Sequence, residues 1–109
     1  MKGKFVLIPF PFTNLASAKL RPALVLYEGK DDVIVLFVSS KVPQEPARYE
    51  VVIEQHHPEY TLTGLKVSSV VRIDKVATVL KSLIVGEIGE LGPSFKDEVN
   101  LRLGELFKF

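Results

Sequence analysis

The chain has 109 residues, of which 47% are hydrophobic and 25% are charged, and its formal net charge is +1. This composition excludes intrinsic disorder, and the length supports one globular domain, which we expect to span residues 1–109. The absence of cysteine excludes disulfides, thiolate zinc sites and cysteine nucleophiles. The sequence contains neither the apolar core of a signal peptide nor about 18 consecutive apolar residues, so we expect a cytoplasmic protein without a membrane segment.

Charge is distributed unevenly along the chain. Residues 1–30 contain five basic residues and one acid, whereas residues 31–60 contain two basic residues and six acids. The basic first third could form a surface for an anionic ligand, since a local patch matters more than the net charge. The alternative is that these lysines are simply spread over a solvated surface.

Short apolar runs rich in β-branched and aromatic residues dominate the first 85 residues. They predict strands over residues 4–10, 22–28, 33–38, 49–54, 69–73 and 77–80. The run at 33–38 is unbroken, which indicates burial on both faces. Residues 12–20 and 39–47 are predicted loops, residues 29–32 a hairpin turn, and residues 55–65 an irregular segment. Short strands spaced so closely indicate a small barrel or a strongly bent sheet.

The end of the chain predicts a helix. Ser94 and Asp97 have the spacing of a capping box, and Pro93 lies just before them. An apolar stripe then recurs at helical spacing, formed by Phe95, Val99, Leu103, Leu106 and Phe107. Gly104 weakens the helix by about 1 kcal/mol of propensity. We expect the stripe to pack the helix against one side of the barrel.

Most familiar catalytic and cofactor motifs are missing from the sequence. His56 and His57 are adjacent and would point in opposite directions on a strand, and no acidic cluster at ligand spacing accompanies them. We therefore interpret both as exposed loop histidines and predict no metal site. The sequence lacks a Gly-x-Ser-x-Gly elbow, a phosphate-binding loop and a Gly-x-Gly-x-x-Gly fingerprint. We accordingly expect no cofactor.

Two polar positions at strand ends are candidates for chemistry. Arg21 precedes Pro22, which restricts it to extended conformations and gives its guanidinium a stiff base for bidentate contact with a phosphate. The alternative is a peripheral arginine paired with a carboxylate. Ser39 and Ser40 end the buried run, where their hydroxyls could serve a site or simply close a turn. Periodicity alone does not show whether Arg21 and Ser39 meet.

Several segments resemble a known family. Residues 8–15 read Ile-Pro-Phe-Pro-Phe-Thr-Asn-Leu, and residues 19–26 read Lys-Leu-Arg-Pro-Ala-Leu-Val-Leu. These strongly resemble the Phe-Pro-Phe-type segment and the Lys-x-Arg-Pro-Ala-Leu-Val-Leu block of the MazF/PemK family of toxin ribonucleases. Residues 38–41, 64–71, 75–79 and 88–91 resemble further segments of that family in the same order. The resemblance thus extends over nearly the whole chain.

The resemblance implies a mainly β fold, an SH3-like barrel with a C-terminal α-helix, that acts as a homodimer. It implies a toxin of a type II toxin–antitoxin system, a metal-independent and sequence-specific endoribonuclease that cleaves single-stranded RNA such as mRNA. Cleavage would leave a 2′,3′-cyclic phosphate and would inhibit translation and growth. The implied partners are single-stranded RNA, a cognate antitoxin protein and, together with the antitoxin, promoter DNA.

Site residues follow from the matching motifs. Carried over to this sequence, the catalytic pair is Arg21 and Ser39. The expected RNA-binding residues are Lys19, Phe12, Thr13, Ser40 and Lys41. Phe10 or Phe12 could stack on an unpaired base, although packing in the core is the alternative for each.

The sequence departs from the family pattern at three positions. Lys4 replaces an acid, Ser39 replaces the commoner threonine, and Ser68 replaces a second acid. Serine at position 39 keeps the hydroxyl but loses the methyl group that stiffens the side chain. Two other functions therefore stay open: a nucleic-acid-binding regulator without catalysis, and a toxin resembling the gyrase poisons. The tryptophan-containing tail of the gyrase poisons has no counterpart here, since the chain contains no tryptophan.

Overall fold

The computed structural model describes residues 1–10 and 19–109. The strands within these residues are β1 (Lys4–Phe10), β2 (Lys19–Glu28), β3 (Asp32–Ser39), β4 (Glu50–Ile53), β5 (Ser69–Leu80) and β6 (Gly86–Glu90), and the α-helix is α1 (Pro93–Leu106). The strands pair antiparallel in the order β4-β5-β3-β2-β1-β6 and curl into a half-barrel. The expected mainly β class with a C-terminal helix is confirmed. None of the helices in the described ranges is long and apolar enough to cross a membrane.

Strands β1, β2 and β3 follow one another as an antiparallel meander. Strand β1 has its predicted bounds, and β3 extends one residue beyond the prediction at each end. The Gly29 N–H donates to the Asp32 carbonyl at 2.8 Å and closes the predicted turn between β2 and β3. The loop prediction for residues 12–20 is wrong at its end, because Lys19 and Leu20 pair with Phe10 and Pro9 as part of β2. Residues 12–18 of that predicted loop lie outside the described residues.

Strand β5 is continuous, and the prediction of two strands at 69–73 and 77–80 is wrong. Leu36 of β3 pairs with Val76, but the next residue, Phe37, pairs with Arg72, so that residues 73–75 form a bulge in β5. Bulges bend the strand that carries them, and this one curls the sheet. Asp74 and Lys75 interrupt the apolar pattern at the bulge, which is why the sequence suggests two strands.

The sheet has two differently covered sides. We call the side that packs against α1 the helix face and the opposite side the distal face. The helix face buries a core that includes Phe5, Leu24, Leu36, Ile73, Phe95 and Val99. The distal face buries a second cluster that includes Val6, Ile8, Ala23, Val25, Val33 and Val35. Alternate residues of β3 thus enter different cores, which agrees with its predicted burial on both faces. Each fully buried aliphatic or aromatic side chain stabilises the fold by about 1.5–3 kcal/mol.

Strand β6 was not predicted. Its sequence, Gly-Glu-Ile-Gly-Glu, has a low strand propensity, and it becomes a strand by pairing with β1 around a register shift. Gly89 lies against the short 3-10 helix Tyr60–Thr63, since an added Cβ would fall 2.2 Å from the Thr63 carbonyl carbon. Gly64 has a φ of 70°, and a Cβ there would fall 1.8 Å from the Ile88 carbonyl oxygen. These close approaches bring the segment between β4 and β5 over β6.

Helix α1 begins where predicted but without the predicted capping box. Its N-cap is Gly92, and no side chain within the helix caps it. The carboxylate of Glu59 does so instead, accepting from the Ser94 N–H at 3.0 Å and the Phe95 N–H at 3.2 Å. Of the predicted apolar stripe, only Phe95 and Val99 are buried, while Leu103 is half-buried and Leu106 and Phe107 are exposed. The helix therefore packs on the sheet through its first half.

The two histidines differ in their surroundings. His56 is exposed, as predicted. The same prediction is wrong for His57, which is half-buried with its ring 4.2 Å from that of Phe95. The His57 Nδ1 accepts a hydrogen bond from the Glu59 N–H at 3.0 Å, so this histidine helps to hold the capping segment in place. The sequence gives no local sign of this contact, because Phe95 comes from the distant helix.

Candidate active site

Arg21 and Ser39 lie on the neighbouring strands β2 and β3, each two residues beyond the last pair that joins these strands. Ala23 pairs with Phe37 and Leu24 with Leu36. The pairing of β2 with β3 ends at Ala23 and Phe37, and beyond it β2 continues along β1 and β3 continues along β5. We call the positions Arg21 and Ser39, with the residues that pair with them, the Arg21–Ser39 row. Residues two apart on a strand share a face. Both residues therefore lie on the distal face. Their other neighbours in the row are the buried Ile8, opposite Arg21 on β1, and the buried Val70, opposite Ser39 on β5.

Arg21 is exposed and extends from a strand that is held on one side by β1. The hydrogen bonds and ion pairs among residues 1–10 and 19–109 include none from its guanidinium, so the alternative of a carboxylate-paired arginine finds no partner there. The guanidinium thus offers its fork of N–H donors outward. Such a fork matches the oxygens of a phosphate.

Ser39 is half-buried at the last position of β3. Its Oγ accepts a hydrogen bond from the Lys41 N–H at 3.1 Å, so the serine does close a turn. A hydroxyl that accepts one hydrogen bond still has its own proton to donate and a second lone pair. The turn therefore fixes the hydroxyl without consuming its donor capacity. Ser40 and Lys41 follow as exposed residues beside it.

An aromatic pair adjoins this row. Phe10, at the end of β1, is 45% exposed, and its ring meets that of Phe37 edge to face with centroids 5.6 Å apart. Lys19 is opposite Phe10 on β2 and is exposed. The distal face thus combines a ring surface, two exposed cations on β2 and the Ser39 hydroxyl. Phe12 and Thr13, the other two expected RNA-binding residues, lie outside the described residues.

A second charged group on the same face was missed in the sequence. Arg72, opposite Phe37 on β5, donates from Nε to Asp74 Oδ1 at 3.0 Å and from Nη2 to Oδ2 at 2.9 Å. The Arg72 guanidinium also lies 4.9 Å from the centre of the Tyr49 ring. The bidentate pair therefore fixes a cation next to the Arg21–Ser39 row. The Arg-x-Asp alternation is the signal that marks it, once residues 69–80 are understood as one strand.

Arg72 and Asp74 each shift the pKa of the other toward the charged form. Hydrogen bonding from Arg72 lowers the pKa of the Asp74 carboxyl, and the carboxylate in turn raises the pKa of the Arg72 guanidinium. Both groups therefore stay charged at neutral pH. The described part of the chain has no group of three or more His, Cys, Asp or Glu side chains that could hold a metal ion.

The similarity of the whole chain to known proteins decides its family. Residues 1–107 match the family model described as the PemK-like, MazF-like toxin of type II toxin–antitoxin systems. The chain belongs to this toxin family. The resemblance seen in the sequence is thereby confirmed. A search of curated proteins found no match to the chain.

Solved structures of MazF toxins have the same fold. The toxin MazF-mt6 of Mycobacterium tuberculosis is 21% identical, with a TM-score of 0.75 over 97% of each chain. MazF from Deinococcus radiodurans is 25% identical, with a TM-score of 0.70 over 99% of this chain and 96% of that one. A mycobacterial endoribonuclease in complex with its cognate antitoxin is 14% identical, with a TM-score of 0.71 over 96% of this chain and 91% of that one.

Proposed function

We propose that this toxin is an endoribonuclease that cleaves single-stranded RNA, mRNA included, at particular sequences and so inhibits translation and growth. The observation that carries the proposal is that the distal face holds both Arg21, whose guanidinium has no partner among the described residues, and the Ser39 hydroxyl, which is held by the Lys41 N–H. Membership of the MazF-like family supports it. One solved relative of the same fold is itself named an endoribonuclease.

RNA supplies its own nucleophile for this reaction. The 2′-hydroxyl oxygen attacks the adjacent phosphorus and gives up its proton to water, while the bond from phosphorus to the 5′-oxygen breaks and that oxygen takes up a proton from water. The products are a 2′,3′-cyclic phosphate and a 5′-hydroxyl end. The protein needs to position the phosphate and stabilise the charge that develops on it, and neither task requires a metal ion.

Arg21 stabilises the developing negative charge in this proposal. Arginine stays protonated in proteins, so its guanidinium acts as a fixed fork of donors rather than as a proton source. The fork approaches two phosphate oxygens at once because Pro22 restricts the backbone beneath it. Ser39 donates a hydrogen bond either to a phosphate oxygen or to the 2′-oxygen, and this bond orients the nucleophile.

The surrounding groups bind the RNA strand on either side of the cleaved bond. Arg72, held by Asp74, supplies a second fixed cation for a neighbouring phosphate. Phe10, which is 45% exposed and packs edge to face on Phe37, is the proposed contact for an unpaired base. Lys19, Ser40 and Lys41 contact the backbone of the strand. Phe12 and Thr13 are further proposed contacts, in line with the sequence resemblance.

The proposal extends to the partners of the toxin. Solved structures of the same fold include complexes named MazE-MazF from Deinococcus radiodurans. By analogy, we propose that a cognate antitoxin protein binds this chain. We further propose that it acts in the cytoplasm as a homodimer and that, with its antitoxin, it binds promoter DNA.

The test is cleavage of a long, unstructured RNA by the purified protein in the presence of EDTA, followed by mapping of the new ends. We expect discrete cuts at a shared short sequence, with cyclic phosphate on one side. A matched substrate with deoxyribose at the mapped cut should resist cleavage, since it lacks the 2′-hydroxyl. Absence of cutting by folded protein across a varied RNA would remove the ribonuclease proposal.

A further inference from the structure

Strands β2 and β3 stop pairing before either strand ends. The last pair that joins them is Ala23 with Phe37, and each strand then keeps only its other neighbour. We call the opening between residues 20–22 of β2 and residues 38–40, at the end of β3, the seam. Both candidate catalytic residues border the seam, so the main-chain groups that face it adjoin the proposed RNA site.

Pro22 accounts for the position at which the pairing stops. The Gly3 N–H donates to the Val25 carbonyl at 2.8 Å, so the main-chain groups of Val25 face β1. Successive residues of an antiparallel strand turn these groups toward opposite neighbours, and the groups of Pro22 therefore face β3. A continued register would pair Pro22 with Val38. Because proline has no N–H, it cannot donate to the Val38 carbonyl.

The β3 side of the seam presents one acceptor and one donor. The Lys81 N–H donates to the Asp31 carbonyl at 2.7 Å, across the junction of β5 and β3, so odd-numbered residues here face β5 and even-numbered ones face β2. The Val38 carbonyl therefore points into the seam. The Ser39 carbonyl points away from it, and the Ser40 N–H is antiparallel to that carbonyl across a planar trans peptide. The Ser40 N–H accordingly points into the seam as well.

These two groups have no partner in the part of the chain that the structure describes. The backbone hydrogen bonds of residues 1–10 and 19–109 include neither the Ser40 N–H nor the Val38 carbonyl. Pairing does not resume at Leu20, although Leu20 has an N–H, which shows that the strands have separated there. Main-chain groups of this kind normally have a partner, either in the protein or in water. The seam thus offers an acceptor beside a donor to a ligand.

We propose that the seam binds the Watson–Crick edge of one unpaired RNA base and that Pro22 is the positioning residue that keeps the seam open, an inference that rests on the proposed function. Each RNA base has a donor next to an acceptor on that edge, which matches the Val38 carbonyl and the Ser40 N–H. Ser39 lies between these two groups, so the bound base belongs to a nucleotide beside the cleaved bond. An added peptide strand fits less well, because strand addition needs a longer row of main-chain groups.

The variant Pro22→Ala tests the part played by the proline. An alanine N–H at this position faces β3 and can donate to the Val38 carbonyl, which removes the acceptor from the seam. Pro9→Ala is the matched control. The Leu7 carbonyl accepts from the Val85 N–H at 2.9 Å, so Leu7 and Pro9 face away from β2, and an N–H added at position 9 lies outside the seam.

The experiment measures cleavage of an RNA whose cut has been mapped with the wild-type protein, with the two flanking bases methylated one at a time. Methylation of the Watson–Crick ring nitrogen, N1 of a purine or N3 of a pyrimidine, blocks that edge. A methyl group at C5 of a pyrimidine or C7 of a 7-deazapurine leaves the edge free and is the control. We expect N-methylation of one flanking base to slow cleavage by wild type and by Pro9→Ala by about tenfold or more.

Pro22→Ala should discriminate little between the methylated and the unmethylated RNA, because its seam no longer takes the base. A looser backbone at Arg21 would slow both RNAs equally, so the ratio of the two rates isolates the seam. Circular dichroism confirms that each variant is folded, and the wild-type comparison decides the matter without Pro22→Ala. A second measurement is the backbone amide shift of Ser40, which should move on binding the unmethylated RNA with deoxyribose at the cut and not on binding the N-methylated one.

Three results would overturn the inference and leave the ribonuclease proposal intact. They are equal cleavage by wild type of RNAs with and without N-methylation at both flanking bases, the same ratio of rates in Pro22→Ala as in wild type, and an unmoved Ser40 amide in the RNA complex. Absence of cleavage of every RNA would instead remove both proposals, so the two failures are distinguishable.

Discussion

The Ser39 hydroxyl accepts a hydrogen bond inside the protein and can donate another to a ligand. Its Oγ accepts from the Lys41 N–H at 3.1 Å, which fixes the side chain, and within residues 1–10 and 19–109 its proton is donated to no other group. The family threonine that it replaces would add a γ-methyl group and stiffen the same side chain. The serine thus retains the hydroxyl and loses only some rigidity.

We expect Ser39→Ala to lower the rate of RNA cleavage by about a hundredfold, the usual effect of removing one donor to a developing charge. Ser39→Thr should cleave at least as fast as wild type, because it keeps the hydroxyl and restricts its rotation. Single-turnover rates on an end-labelled RNA would measure both. If Ser39→Ala cleaved as fast as wild type, the hydroxyl would have no part in the reaction.

The Arg72–Asp74 pair connects the site to the stability of the fold. The pKa of Asp74 is lower in the folded state than in the unfolded chain, chiefly because Arg72 hydrogen-bonds its carboxylate. Such a group stabilises the fold above its unfolded pKa, and that contribution is lost as the pH falls through the folded pKa. The pair therefore contributes fully at neutral pH and is lost in acid, below about pH 4.

The corresponding prediction concerns Asp74→Asn. We expect this variant to have a lower Tm than wild type at pH 7 and a smaller loss of Tm between pH 7 and strong acid, because it has no carboxylate to protonate. Thermal unfolding by circular dichroism over a series of pH values would test this. Asp97→Asn, at an exposed helix position without an ion pair among the described residues, is the matched control. Parallel Tm curves for Asp74→Asn and wild type would contradict the prediction.

At the scale of elements, contacts between segments far apart in the sequence determine features that local sequence patterns do not predict. The meander β1–β3 and the final helix follow local patterns, and their predictions are largely confirmed. The cap of α1 does not follow a local pattern, because Glu59, which accepts the hydrogen bond from the Ser94 N–H, is 35 positions away in the chain. This contact also lowers the pKa of Glu59, chiefly through the hydrogen bond from the Ser94 N–H. Strand β6 likewise depends on β1, and its own sequence is a poor strand former.

The candidate site was likewise predicted only in part from local sequence patterns. The Arg-Pro block and the hydroxyl at the end of β3 are local motifs, so the family resemblance was sufficient to single out Arg21 and Ser39. That both lie on the distal face follows from the pairing of Ala23 with Phe37, two residues from each, which periodicity does not give. Arg72 and Asp74 were missed because the bulge at residues 73–75 breaks the apolar alternation of β5.

Replacing Gly104 or Gly64 with alanine should change the stability of the protein in opposite directions. Gly104→Ala should stabilise the protein by about 0.5–1 kcal/mol, because alanine is the better helix former and a Cβ there meets nothing within 4 Å. Gly64→Ala should strongly destabilise it, because φ is 70° and the Cβ would fall 1.8 Å from the Ile88 carbonyl oxygen. Urea unfolding would give both free energies. A stable Gly64→Ala variant would mean that the segment over β6 is not held as described.

At the scale of the molecule, a net charge of +1 makes the placement of charge more important than its sum. The distal face carries Lys19 and Arg21, and Arg72 paired with Asp74, with Lys41 just beyond the end of β3. This placement of charge on the distal face favours an anionic ligand.

The charge on the distal face predicts a salt dependence. For single-stranded RNA, each phosphate contact makes the slope of log affinity against log salt more negative by about 0.7. The variant Lys19→Ala/Lys41→Ala should therefore make the slope less negative by about 1.4, if each lysine contacts one phosphate. The measurement is fluorescence anisotropy with a deoxy-substituted oligonucleotide. Lys30→Ala/Lys108→Ala is the control, and an equal change in that variant would indicate general rather than local attraction.

The most direct test of the account is the cleavage rate of Arg21→Ala on an RNA whose cut site has been mapped with the wild-type toxin. We expect a loss of about a thousandfold with circular dichroism unchanged, and a partial loss for Arg21→Lys, which keeps the charge but not the fork of donors. Wild-type rates from folded Arg21→Ala would show that the row formed by Arg21 and Ser39 is not where RNA is cleaved.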